Sequence, residues 1–363
     1  MYGFEPTDEQ KMLVDAVQRF ASNELRPAAH DAEESGELLA DLIEKGWELG
    51  VLQASVPEAY GGFGERSAVT GALAAEAMAY GDLAGALAVM APSGFAVPIL
   101  MAGTEEQKKT WLPPVIEAEW KPYTAAIIEP TYDFTPGEMQ TTAQVDGDGY
   151  VLNGEKAFVP FADKADAILV LATLDGGIQA FVAPAGTKGL EIAEREKTLG
   201  IHALPMYRVC LKDMRLDRTA RVGEDGAGMD GPIASSQVAA SALALGLSKA
   251  AYEYALAYAK DRIVFGKPIA QKQAIAFMLA EMAIEIEAIR LMVWEAAWQL
   301  DQGMAEANRS AYLALTGAGD MAMMVTDRAV QILGGHGYIR EHPVESWMRN
   351  GRGIANLVGV AMV

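Results

Sequence analysis

The chain has 363 residues, enough for two or three domains with a sizeable core. Its formal net charge is −20 and no basic cluster offsets it, which excludes a nucleic-acid-binding or anionic-lipid-binding surface. Just over half the residues are hydrophobic, as in an ordinary globular protein, and a single cysteine, Cys210, excludes an intrachain disulfide.

Residues 1–121 read as helices. The stretch MYGFEPTDEQ has no basic and apolar leader pattern, so a cytoplasmic protein is expected. Thr7-Asp8-Glu9-Gln10 is a capping box, followed by Met12, Leu13, Ala16, Val17 and Phe20 at helical spacing. Thr104-Glu105-Glu106-Gln107 repeats the device. Leu83 to Gly103 is uncharged and long enough to span a bilayer. Pro92, Ser93, Gly94 and Pro98 interrupt it, so two buried helical pieces are expected, with no membrane insertion.

Residues 122–227 change character. Thr141 to Val145 alternates, Asp146 to Gly149 supplies a turn, and Tyr150 to Phe158 continues as a strand. Ala167 to Thr173, Gln179 to Ala183 and Tyr207 to Leu211 are further short β-rich runs, predicting a small β-barrel or sandwich. Cys210 lies in the last of them and reads as a small core residue. Residues 228–363 are helical again. Pro232 to Arg262, Pro268 to Leu300 and Asn308 to Leu333 predict a four-helix bundle. Phe277, Met278, Met282, Met292 and Met321 to Met324 read as core. The four histidines, His30, His202, His336 and His342, show no metal spacing.

Two stretches carry the functional signal. Tyr258 to Met282 contains Arg262, Phe265, Gly266, Gln273 and the run from Phe277 to Met282. Thr326 to Val358 contains Gln331-Ile332-Leu333-Gly334-Gly335, then Pro343-Val344-Glu345 and Arg349. Taken alone, the glycines read as a helix C-cap and a helix-helix turn. Together the stretches resemble the C-terminal signature of the acyl-CoA dehydrogenase family. GYVLNGEKAF and GTEEQK match its middle and N-terminal domains. The resemblance covers nearly the whole chain. It implies an α+β fold: an N-terminal helical domain, a middle β-barrel domain and a C-terminal four-helix bundle. It also implies FAD as cofactor and an acyl-CoA substrate.

In that family the adenine-pyrophosphate end of the flavin is held largely by a neighbouring subunit. The resemblance assigns that grip to Arg262, Phe265, Gln273, Gln331, Gly334 and Gly335. An arginine fork suits a pyrophosphate, and glycines admit close approach. The alternative for Arg262 is a pair with a nearby carboxylate.

The chemical end departs from the pattern. The family's catalytic glutamate falls on Val358, which cannot accept a proton. The alternative base position is Ser236, with no histidine beside it, and the adjacent family arginine is Gln237. Glu129-Pro130 survive, but the preceding threonine is Ile128 and no Gly-Ser-Asp follows. The threonine that would donate to the flavin ring is Pro160, which has neither hydroxyl nor N–H. The helix that follows the family's catalytic loop is not expected after Val363.

These departures all fall at the ring and thioester end, whereas the retained residues belong to the end that reaches a partner. The resemblance therefore implies a non-catalytic subunit of a heteromeric acyl-CoA dehydrogenase, beside a paralogous catalytic subunit. Paired enzymes of this kind act on bulky steroid side-chain CoA thioesters, and a tetramer is the family's usual assembly. The alternatives are a self-sufficient flavin monooxygenase or oxidase on the same fold, and a flavin-free structural paralogue.

Overall fold

A computed structural model describes residues 5–224 and 227–363, so Met1 to Phe4 of the amino-terminal stretch read above lie outside it. The amino-terminal part contains α1 (Asp8–Phe20), α2 (Arg26–Ser35), α3 (Ala40–Trp47), α4 (Ala68–Ala79), α5 (Leu83–Ala102) and α6 (Glu105–Val115). Both capping boxes form. The Thr7 and Thr104 hydroxyls accept from the amides of Gln10 and Gln107, whose side chains return to the cap amides.

α5 corrects the expectation of two pieces: it is one continuous helix with Pro92 and Pro98 inside it. Each proline lacks a donor for the carbonyl four residues back. The helix stays intact because almost all of it is enclosed. It is long and apolar enough to cross a membrane, yet 94% of that window is buried within the protein. Its walls are α3, α4, α6, α7 and the first strand of the sheet.

The middle part is a seven-stranded sheet. Its strands are β1 (Tyr123–Ala126), β2 (Thr142–Asp146), β3 (Gly149–Pro160), β4 (Ala167–Leu174), β5 (Gly177–Pro184), β6 (Leu190–Arg195) and β7 (Met206–Asp217). Antiparallel pairs join β2 to β3, β3 to β7, β7 to β6 and β4 to β5, whereas β1 lies parallel to β4. The outer strands β5 and β6 are not paired with each other. Their side chains nevertheless meet in one core with Tyr150, Leu152, Phe181, Val209 and Met214, so the sheet is rolled into an incompletely closed barrel. Cys210, expected in the core, is only half-buried on β7, where it faces Glu155 and Glu191 in register.

The last part is built from α7 (Asp230–Asp261), α8 (Gln273–Asp301) and α9 (Ala307–Leu333), with the short α10 (Val344–Arg352) against α9 and α7. Pro268 is not part of α8: it ends a two-stranded hairpin, β8 (Ile263–Val264) and β9 (Lys267–Pro268). α4 packs along α7 and α8, so the first domain shares the bundle's core. Phe277, expected inside, is exposed. It begins a stripe on α8 with Ile284, Leu291 and Trp298, every seventh residue and all outward.

Candidate functional site

The six residues assigned to nucleotide binding converge at one end of α7. Arg262 caps that helix, its N–H donating to the Tyr258 carbonyl. Beyond it the β8–β9 hairpin turns on Phe265 and Gly266, with φ of 55° and 74°. A two-residue turn with both φ positive matches the twist of the flanking strands, and a phenylalanine there is strained. Phe265 is 92% exposed.

A cavity of about 490 Å³ opens beside this turn, lined by Tyr258, Arg262, Phe265, Lys272, Gly335 and His336 among others. Gln273 follows Lys272 at the start of α8. Gln331 and Gly334 flank the lining residues Ile332 and Leu333 at the end of α9. Gly334 has φ 60° and ψ −128°, a conformation closed to residues with a Cβ, and nothing in the chain crowds Gly334 or Gly335. The Arg262 guanidinium makes no ion pair among the described residues, so the carboxylate-paired alternative does not hold.

Tyr258, Lys272 and the histidine pair complete this end and were not assigned from the sequence. The Tyr258 hydroxyl lies 3.3 Å from Nδ1 of His336, and that of Tyr254 lies 2.7 Å from Nδ1 of His342. The two imidazoles stack edge to face with centroids 5.6 Å apart. The Tyr-x₃-Arg spacing was the available signal, since it sets both side chains at one end of a helix.

The second cluster lies near the other end of α7. Ser236 and the 358–363 segment come from different parts of the chain, yet they are in contact. The Ser236 hydroxyl accepts from the Gly359 amide and donates to the Ala361 carbonyl at 3.0 Å. Ser235 Oγ donates to the Val363 carbonyl and accepts from its N–H at 3.2 Å. Ser93 of α5 accepts from the Met362 amide at 2.8 Å. Arg66 holds the Val363 carbonyl with Nε at 3.1 Å and Nη2 at 2.7 Å. Every residue from Val358 to Val363 is buried.

The implied ring-facing positions are built into the same region. Ile128 is buried, its carbonyl receiving the Ala157 amide, and Ile127 packs on Gly359. Glu129 accepts from the amides of Gln140 and Thr141 and from Lys156 Nζ at 3.0 Å. Burial alone would raise this carboxyl, but Lys156 and the amide donors hold it below its usual range; burial likewise pulls Lys156 down. Pro160 ends β3 beside Phe158 and Phe161, which have φ of 54° and 51°, next to a bulge in the β3–β7 pairing.

The two ends differ as receptors for a flavin dinucleotide. The nucleotide end is open, cationic and unpaired, and fits a pyrophosphate and adenine. At the other end the space between α5, β1 and α7 is filled by residues 358–363, and the void beside Met362 and Val363, walled by α3, α4 and α5, is about 30 Å³, room for roughly one water.

The sequence matches the profiles of the acyl-CoA dehydrogenase N-terminal domain over residues 7–119, the middle domain over 124–214 and the C-terminal domain over 229–360. It is 34% identical to the mitochondrial short-chain specific acyl-CoA dehydrogenase of Bos taurus over 96% of this chain and 86% of that protein. Butyryl-CoA dehydrogenase from Megasphaera elsdenii superposes with a TM-score of 0.88 at 32% identity, covering 99% of this chain and 96% of the other. The FAD complex of PigA superposes with a TM-score of 0.89 at 26% identity, covering 98% and 95%. PigA was solved with FAD bound. The chain belongs to the acyl-CoA dehydrogenase family of FAD-dependent oxidoreductases.

Proposed function

We propose that this chain is the cofactor-supporting subunit of a heteromeric acyl-CoA dehydrogenase. It lends Arg262, Phe265, Gln273, Gln331, Gly334 and Gly335 to a flavin whose ring and thioester lie on a paralogous catalytic subunit. The flavin, when bound there, supplies the hydride acceptor for α,β-dehydrogenation of an acyl-CoA.

One observation carries this reading. The open cationic pocket and the Ser236 cluster lie near opposite ends of the 32-residue α7. At ~1.5 Å per residue, about 39 Å separates Arg262 from Ser236, farther than one flavin dinucleotide reaches. A flavin gripped at Arg262 therefore does not reach this chain's own Ser236 cluster, which supports a ring site on a partner subunit. The exposed stripe of Phe277, Ile284, Leu291 and Trp298 starts four residues beyond Gln273, which offers a neighbouring helix a seam beside the pocket. At the other end neither Val358 nor Ser236 can serve as the base, and a buried serine with its hydroxyl already bonded has no proton-accepting role to give. A bulky acyl group, such as a steroid side chain, would then be accommodated by the partner.

The test is flavin content by absorbance. The chain purified alone is expected to be colourless, and the chain co-expressed with a paralogous acyl-CoA dehydrogenase is expected to carry stoichiometric FAD per pair. Stoichiometric flavin in the lone chain, with turnover of an acyl-CoA, would overturn the reading in favour of a self-sufficient enzyme.

A further inference from the structure

Ser93, Ser235 and Ser236 are buried hydroxyls on α5 and α7, and each is spent on the backbone of one short segment. A serine inside a helix ordinarily bonds its own carbonyl four residues back. Ser241 and Thr326 of this chain do so, donating to Gln237 and Ala322. The three serines turn instead toward residues 359–363, from two helices at once. Between them they satisfy the amides of Gly359, Met362 and Val363 and the carbonyls of Ala361 and Val363. Arg66 adds a half-buried cation, with Val363 as its hydrogen-bond partner and Asp301 nearby.

Fit is equally close on the apolar side. A Cβ on Gly71 would meet Val363 at 2.7 Å, one on Gly94 would meet the Gly359 carbonyl at 3.2 Å, and one on Gly359 would meet Ile127 at 2.7 Å. Gly359 itself has φ 96°, which only glycine adopts without strain. Segment and walls are thus matched in both polarity and shape, and without the segment the three serine hydroxyls would lose these partners in a largely apolar hollow.

We propose that residues 358–363 form a serine-latched plug in this chain's own ring-and-thioester cavity, so that neither a flavin ring nor an acyl thioester enters it unless the segment swings out. The proposal goes beyond the supporting-subunit reading and does not depend on it, because it concerns the chain alone.

The experiment is amide hydrogen exchange on the full chain, combined with equilibrium dialysis against FAD and butyryl-CoA. The amides of Gly359, Met362 and Val363 are expected to be protected like the core of α5. Butyryl-CoA is expected either not to bind the wild-type chain or to bind with loss of that protection. In Ser235→Ala/Ser236→Ala, loss of each hydroxyl is expected to speed exchange in the segment by roughly fivefold, and ligand binding is expected to rise with it. Binding of butyryl-CoA or of the flavin ring to the wild-type chain with protection at 359–363 intact would overturn the plug. So would rapid exchange there in the ligand-free protein, or a folded variant with a loosened segment that still binds no ligand. The wild-type measurements stand even if the double variant does not fold.

Discussion

Asp82 caps the amino terminus of α5, its side chain accepting from the Gly85 amide at 2.7 Å, and it is fully enclosed. Burial drives its pKa up from 3.8 to about 6, against the pull of the helix amides. A carboxyl whose folded-state pKa lies above its unfolded value binds protons more tightly when folded. Its stabilising contribution is complete below pH 3.8 and is lost as the pH rises through 6. The loss approaches about 3 kcal/mol at pH 8 and is roughly half of that at pH 5. Asp82→Asn keeps an oxygen for the Gly85 amide and remains a good cap, but does not titrate. The variant is therefore expected to be more stable than the wild type by about 3 kcal/mol at pH 8, with roughly half that gain at pH 5. Urea unfolding followed by circular dichroism at closely spaced pH values measures the difference. A gain independent of pH, or a loss at pH 8, would refute the argument that the buried charge is the cost.

Two further outcomes follow from the site. Arg262→Ala and Gln331→Ala, each in the co-purified pair, should weaken FAD retention, the arginine by ~10–100-fold for a charge-assisted bond. The melting temperature of the lone chain should not move, because Arg262 has no ion pair to lose; titration of the stripped complex with FAD gives the first number and a thermal scan the second. Lys156→Met leaves Glu129 charged and enclosed without its cation, and should destabilise the chain by ~3–5 kcal/mol in urea unfolding near neutral pH.

Much of the architecture was legible because it is encoded locally. The Thr7 and Thr104 caps lie where the S/T-x-x-E/Q pattern puts them, since capping depends on four adjacent residues. The pocket around Arg262 was legible for the same reason, as its parts come from two short stretches around helix ends. β1 was missed because Tyr123 to Ala126 are all buried, so the strand shows no alternation. α5 was read as broken because local rules weigh Pro92 and Pro98 without knowing that the helix is enclosed on every side. Phe277 was read as core from its hydrophobicity, although the face of α8 it occupies is set by where α9 and α4 pack. Ser236 was read as a weak base. Its actual partners lie more than a hundred residues downstream, and no local pattern announces a bond of that range.

The bonds from Arg66 and Ser93 to Val363 and Met362 span 297 and 269 residues. They belong to the interior of the first domain, beside Gly71 and α5. As the chain emerges from the ribosome, α4 and α5 are therefore synthesised long before the residues that fill the hollow between them. Loop closure over such a separation is slow. Until it happens the first domain carries an apolar hole and the unpaired Ser93 hydroxyl, a surface prone to misassociation. The three parts visible in the sequence thus finish folding as one unit, and the first to be made is among the last to be completed.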